Sequence, residues 1–305
     1  MVLRSRQQPD CAERKLAVDS LTVVIPVRNE ASQIGELIRR LREKVGSVVE
    51  ILVVDDGSTD GSGEMAKEAS ARVITHPYPI GNGAGVKRGI RAAQGEWILL
   101  MDGDGQHNPE EIPKLLPLAD RYDLIVGCRS FWKQANLSRA LANWVYNRLA
   151  SYVTQQPVQD LTSGFRLFRK ADVLPFLPLF PNAFSYPTTL SLAFLRSGYS
   201  VGYVPIQVRH RAEQGGSKLV WWKDGVRFFL IIFKIATLYS PLRIFFPISV
   251  FFFLSGLLYY EYTYLTAHRF TNMGMLLITT GVLVFLMGLL AESIAEMRFQ
   301  QRRED

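Results

Sequence analysis

Cysteine is scarce in this chain: Cys11 and Cys128 are the two among 305 residues. Two thiols build no disulfide framework, and Cys128 stands in an apolar, strand-like run, so a stapled secreted domain is excluded and a reducing cytoplasm fits. No secretory signal opens the chain; residues Met1 to Ser20 are polar and charged and read as a flexible N-terminal tail. Familiar nucleotide signatures are missing too. No GxGxxG follows the first strand-like run, and there is no GxxxxGK followed by Ser or Thr. The glycine-rich segment Gly81 to Gly85, GNGAG, could bring backbone to a phosphate at a helix start, but a plain turn is its simpler reading. Acid is in deficit: 35 Lys and Arg against 28 Asp and Glu leave a net charge of +7. That balance suits anionic partners, whether nucleic acid, acidic lipid or a phosphorylated substrate.

Apolar residues are plentiful, at 48% of the chain, enough for one large core plus an appendage. The most informative stretch is Trp97 to Glu110, WILLMDGDGQHNPE. A buried-strand run, Trp97 to Met101, ends in Asp102 and Asp104, with Gln106 and His107 directly after. Carboxylates at the end of a buried strand need a compensating charge, and Mg²⁺ or Mn²⁺ supplies it by binding carboxylate and phosphate oxygens together. Gly103 and Gly105 let the backbone bend so that both carboxylates face one point. The competing reading is an acidic turn before a helix capped by Asn108, with Pro109 in the first turn. An EF-hand loop is excluded, because its glycine and glutamate positions would fall on His107 and Pro113.

Strand-like runs at Leu21 to Val27, Val48 to Val54, Arg72 to Thr75, Trp97 to Met101 and Leu124 to Gly127 alternate with helix-length segments. Those segments are Glu30 to Lys44, Ser62 to Ser70, Ala84 to Ala93 and Pro109 to Ala119. Such alternation predicts an α/β domain with a mostly parallel sheet, whose ligands bind beyond the carboxyl ends of its strands. Three strand ends carry unusual polar groups: Pro26, Arg28 and Glu30; Asp55 and Asp56; Asp102 and Asp104. They are expected to meet in one crevice, although DDGSTDGS would also make an ordinary turn and helix cap. Further along, Ser138 to Tyr152 reads as a helix carrying Arg139, Asp160 to Phe168 (DLTSGFRLF) as a turn with a strand-like end, and Thr188 to Arg196 as another helix. Arg209 to Lys218, RHRAEQGGSK, is a solvated basic loop or, alternatively, a phosphate clamp.

After Lys218 the composition changes. Residues 219–243 interleave Trp221, Trp222, Phe228 and Phe229 with Lys223, Arg227 and Lys234, the pattern of an amphipathic helix in a membrane interface. Ile244 to Thr266 is long enough, at about 1.5 Å per residue, to cross a hydrocarbon core of about 30 Å. Met273 to Ala291 is a second such run, giving a hairpin over 244–297 and a tail over 298–305. Arg227, Lys234 and Arg243 precede the first span and Arg298, Arg302 and Arg303 follow the second, against Arg269 in the link. The positive-inside rule then puts both termini and residues 21–218 in the cytoplasm.

The chain resembles glycosyltransferase family 2, and within it the polyprenyl-phosphate glycosyltransferases of the dolichol-phosphate mannose synthase kind. The resemblance rests on VVIPVRNEA from Val23, VVDDGSTDGS from Val53, LLMDGDGQHNPEEI from Leu99, VGCRS from Val126, DLTSGFRLF from Asp160 and GGSK ending at Lys218, in this order. It implies a GT-A (Rossmann-like) catalytic domain, a UDP- or GDP-linked sugar donor, Mg²⁺ or Mn²⁺, and a polyprenyl phosphate acceptor at a bacterial inner membrane. Membrane lipids are then partners and nucleic acid is not; a homo-oligomer is left open. By the same resemblance Pro26, Arg28, Glu30, Val54 and Asp56 hold the nucleoside, and Asp102, Asp104 and Gln106 the metal and diphosphate. Arg129, Arg139, Arg211 and Lys218 match basic positions near the donor and acceptor phosphates. Two departures stand out. Position 28 is Arg where relatives often have Tyr, and the spacing from Arg211 to Lys218 is one residue off, so Arg209 competes with Arg211. The segment Phe184 to Leu192, FSYPTTLSL, holds no Asp, Glu or His where hydroxyl-glycosylating relatives commonly place a base. That absence favours an acceptor already ionised, with Asp160 as the alternative base. The rival readings are a subunit of a processive polysaccharide synthase and a non-catalytic membrane scaffold.

Overall fold

The computed structural model describes residues 20–129, 137–183, 185–208, 233, 237, 240–268 and 271–304. The chain divides into two units, Met1–Asp224 and Gly225–Asp305. In the first, seven strands form one sheet: β1 (Leu21–Val27), β2 (Glu50–Asp55), β3 (Arg72–Thr75), β4 (Trp97–Leu100), β5 (Leu124–Arg129), β6 (Arg166–Arg169) and β7 (Val201–Ile206). Their order is β3-β2-β1-β4-β6-β5-β7. The sheet is mostly parallel, as expected, but β6 runs antiparallel to both β4 and β5. Neither that reversal nor β7 is legible in periodicity, since a short apolar run does not carry its direction.

Both faces of the sheet are covered. Helix α1 (Ala31–Val45) buries Ile34, Leu37, Ile38 and Leu41, a helical i, i+3, i+4, i+7 stripe. Each such side chain contributes about 1.5–3 kcal/mol. These residues share a core with Val23, Ile25, Val53 and Leu99. On the opposite face α3 (Asn82–Ala92) lies against β1 and β2. A methyl group on Gly89 would collide with Val24, so the bare backbone is what lets this helix sit so close. The short α2 (Ser62–Glu68) follows β2.

Several bounds differ from the sequence expectation. Strand β2 begins at Glu50, leaving Val48 68% exposed. Helix α3 begins at Asn82, so GNGAG opens a helix instead of making a plain turn. The expected helix from Pro109 to Ala119 is broken into a 3-10 turn, a short α4 (Ile112–Leu115) and another 3-10 turn, as Pro113 and Pro117 each remove a helix donor. Helix α5 (Leu137–Thr154) carries Arg139, α6 (Lys170–Val173) follows β6, and α7 (Tyr186–Arg196) begins two residues earlier than expected.

The second unit is a helical hairpin of α8 (Leu242–Ala267) and α9 (Asn272–Glu304), both long and apolar enough to cross a membrane. Glycines allow close packing. Gly256 faces Leu277 and Ile278, Gly281 faces Phe253, and Gly288 faces Phe245. Ser249 Oγ donates to the Gly281 carbonyl at 2.8 Å, and the Leu242 amide donates to Glu292 Oε2 at 3.0 Å.

Candidate active site

The chain leaves β1 outward to β2 and β3, then returns to place β4 on the other side of β1. That reversal between β1 and β4 is a topological switch point, where a parallel sheet opens a crevice. A cavity of about 370 Å³ lies there, lined by Pro26, Val27, Arg28, Glu30, Asp56, Gly81, Asn82, Asp102, Gly103 and Asp104. The three polar strand ends therefore meet. Among the described lining residues four are acidic and one, Arg28, is cationic.

The loops around the cavity are fastened by side chain to backbone bonds. The Asn29 amide donates to Ser58 Oγ at 3.0 Å, and the Thr59 amide returns a bond to Asn29 Oδ1 at 3.0 Å. Asp60 takes the Ala31 amide on Oδ2 at 2.9 Å, satisfying a donor in the first turn of α1 from a distant loop. DDGSTDGS is thus a turn and cap, as its composition suggests, and one that sets the entrance to α1. Asp56 sits deeper. Its Oδ1 accepts the Ile80 amide and pairs with His76 Nδ1, both at 2.9 Å, while Oδ2 accepts the Gly81 amide at 2.8 Å. Burial opposes its charge, but the His76 bond and the two amides outweigh it and hold the carboxyl below its ordinary pKa.

The α3 N-terminus is closed to anions by protein carbonyls. The Gly83 amide donates to the Ala183 carbonyl at 3.0 Å and the Ala84 amide to the Asn182 carbonyl at 2.9 Å. A Cβ at Gly83 would overlap the Pro181 carbonyl, so this glycine serves close packing.

At the end of β4, Asp102 keeps 34% of its side chain exposed, yet burial pushes its pKa up, against the pull of Arg129 and Arg166. A carboxyl in that condition is stabilised by an added cation. Gly164 borders it so closely that a methyl there would overlap the carboxylate. Asp104 Oδ1 accepts the Gln106 amide at 3.1 Å. His107 is buried and accepts the Asp102 amide on Nδ1 at 3.2 Å, so its proton stands on Nε2. Burial lowers its pKa to about 4, with Asp104 opposing. Its backbone also pairs with Val208, just before the basic segment.

Behind this lies an ion network. Arg129 Nε and Nη2 fork onto Asp160 at 3.1 and 3.2 Å, and Nη2 also reaches Thr162 Oγ1. Arg166 is fully buried, donating to the Ser163 carbonyl at 2.6 Å, Ser191 Oγ at 2.7 Å and the Leu161 carbonyl at 3.1 Å. Cys128, next to Arg129, is buried and its thiol is pushed up to about 12, which makes it inert.

Of the residues expected at the site, Pro26, Arg28, Glu30, Asp56, Asp102 and Asp104 line the cavity. Val54 is fully buried within β2, and Gln106 contributes its amide to Asp104; neither is among the lining residues. Arg129 is half-buried beside Asp160, and Arg139 stands in the first turn of α5. Arg209, Arg211, Lys218 and most of the expected interface helix lie outside the described residues. Periodicity did not single out His76, Arg166 or Tyr186, because each is defined by partners remote in sequence. A larger hollow, about 530 Å³, has Trp144, Arg148, Tyr152 and their neighbours on α5 as its described lining residues, none of them acidic.

The mostly parallel sheet with its crevice at the switch point has the GT-A fold of nucleotide-sugar glycosyltransferases. The chain belongs to glycosyl transferase family 2: that family's model matches residues 22–174, and a model of the GtrB C-terminal hairpin matches residues 240–297. Glycosyltransferase AglJ of Haloferax volcanii is 27% identical over 301 residues, 93% of this chain and 97% of that protein. The undecaprenyl-phosphate 4-deoxy-4-formamido-L-arabinose transferase of Salmonella paratyphi B is 32% identical over 190 residues, which span 58% of its length and 56% of this chain. Glucosyl-3-phosphoglycerate synthase of Mycobacterium tuberculosis, solved with Mn²⁺ and UDP-glucose, shares the fold with a TM-score of 0.59. It is 22% identical, and the match covers 76% of this chain and 85% of that one.

Proposed function

We propose that this protein transfers one hexose, with inversion, from a UDP- or GDP-linked sugar to a polyprenyl phosphate at the cytoplasmic face of a bacterial inner membrane. The observation that carries it is the cavity wall: Glu30, Asp56, Asp102 and Asp104 face a space with Arg28 as its lining cation. An anionic diphosphate enters such a space together with a divalent cation. Among the described residues no three His, Cys, Asp or Glu side chains gather as a ready-made metal site. Asp102 and Asp104, both at the cavity wall, would hold a Mg²⁺ or Mn²⁺ together with phosphate oxygens of the donor. When bound, the ion would offset negative charge on the leaving diphosphate.

The chain's own groups do the remaining work. Asp56, held ionised, and Arg28 serve the nucleoside end, and the glycine at 164 lets the Asp102 carboxylate stand at the crevice. The acceptor phosphate is largely dianionic at pH 7 and needs positioning instead of a base. Arg129, held by Asp160 and Thr162, and with it Arg139, Arg211 and Lys218, are the cations of this reading that would receive the phosphates. The first turn of α7 carries no carboxylate. The two apolar helices would hold the active site at the bilayer where a long-chain acceptor resides. The test is to incubate membranes with UDP- and GDP-hexoses and either polyprenyl phosphate or the matching polyprenol. Transfer to the phosphate alone is expected; efficient glycosylation of the alcohol would overturn the acceptor assignment.

A further inference from the structure

Tyr186 opens α7 and is 2% exposed, and its phenolic oxygen is covered and makes no hydrogen bond with any described residue. A buried hydroxyl without a partner is costly, about 1–3 kcal/mol, and is uncommon enough in native proteins to require a reason. The surroundings hold it there firmly. Ser185, just before it, takes a left-handed backbone with φ of 86° and donates from Oγ to Thr188 Oγ1 at 2.8 Å. Such strain in a non-glycine residue persists where surrounding structure enforces it, and it gathers at functional sites. The ring packs on Phe180, with centroids 6.4 Å apart. Phe180 leads into Asn182 and Ala183, whose carbonyls close the start of α3.

The placement identifies the ligand. The strands run β2-β1-β4-β6 across the crevice. On the proposed function, on which this inference rests, the nucleoside lies at the end of β2 and the diphosphate at the end of β4. The sugar then lies on the β6 side, beyond Asp102. Tyr186 belongs to that side: Arg166 opens β6 and donates to Ser191 of α7, and Thr188 in the first turn of α7 donates from Oγ1 to the Leu161 carbonyl at 3.5 Å, three residues before the Gly164 that borders Asp102. A phenol keeps its proton at working pH, so Tyr186 is a donor there. We propose that the Tyr186 phenol donates a hydrogen bond to a hydroxyl oxygen of the hexose being transferred, which makes it a positioning residue of the donor sugar.

Tyr186→Phe removes the oxygen and nothing else. Because that oxygen has no partner within the described fold, the variant should melt at the same temperature as the wild type or slightly higher. Binding of free UDP and GDP should stay within about twofold, whereas binding of the nucleotide-hexose that is turned over should weaken about tenfold, the size of one lost hydrogen bond. Equal affinity of both proteins for the nucleotide-hexose would overturn the inference, as would an equal loss for the free nucleotide. A fall in melting temperature of several degrees, or a rise in KM confined to the polyprenyl phosphate, would overturn it as well. If the wild type transfers hexose and the Phe variant is indifferent, this inference alone fails; if the wild type binds no UDP- or GDP-hexose, it fails together with the proposed function.

Discussion

Arg129 and Asp160 are locked in a forked ion pair, Nε to Oδ2 at 3.1 Å and Nη2 to Oδ1 at 3.2 Å. Asp160 further accepts the amides of Arg129, Thr162 and Ser163. Burial opposes its charge, but Arg129 outweighs burial and holds the carboxyl below the usual range. A carboxylate so fully engaged is a poor proton acceptor, which argues against Asp160 as a base. Asp160→Asn should cost about 2–4 kcal/mol, since it strands a largely buried guanidinium. It should leave the acid limb of the kcat/KM profile where it was. Urea melts and a pH profile of the variant check both, and a displaced acid limb would restore the proton-transfer role. Because the folded pKa is depressed, this stabilisation is present above about pH 4 and is lost as pH falls through the folded value.

His107 gives an earlier acid window. Its folded pKa of about 4 lies below the ordinary value of 6.5, chiefly through burial. Between those values the unfolded chain takes up a proton that the folded chain refuses, so stability falls as pH drops from about 6.5 to about 4, by up to about 3 kcal/mol. Denaturant melts at pH 7, 6 and 5 should show the slope, and His107→Asn should flatten it. An unchanged slope in the variant would place the titration elsewhere.

Chelation tests the metal. EDTA should abolish transfer and added Mg²⁺ or Mn²⁺ should restore it. Asp104→Asn should lose at least about 100-fold in kcat while its circular dichroism is unchanged, because an amide oxygen can still accept the Gln106 amide. Full activity of that variant in chelator would remove the metal from the reaction.

Gly164→Ala probes the support of Asp102. The added methyl would overlap the carboxylate, and moving that group by about 1 Å is expected to lower kcat/KM about 100-fold. The melting temperature should change far less than after Asp160→Asn. Wild-type kinetics in this variant would show that the Asp102 position is not critical.

Truncation before about Leu219 should yield a domain that binds nucleotide but transfers poorly to long-chain acceptor, the apolar hairpin having been lost. Short-chain acceptors should be far less affected. Undiminished transfer to long-chain polyprenyl phosphate without detergent would separate the hairpin from acceptor capture.

The sequence alone determined the α/β alternation, the two apolar spans and the three polar strand ends, because these are local: apolar period, run length, and a carboxylate directly after a strand. It also carried the family, through motifs ordered from VVIPVRNEA to GGSK. What only the tertiary structure decided depends on residues far apart in the chain. Strand order places β1, β2 and β4 side by side, and without it Asp56 and Asp102 share no cavity. The reversal of β6 brings Gly164 against Asp102, and a run as short as RLFR does not encode its own direction. Asp160 reads equally well as a base or as a brace until Arg129 is seen clasping it across 31 residues of chain. Tyr186 shows nothing in the sequence beyond an aromatic before a proline; its hydroxyl stands out only because folding covers it and supplies no partner among the described residues.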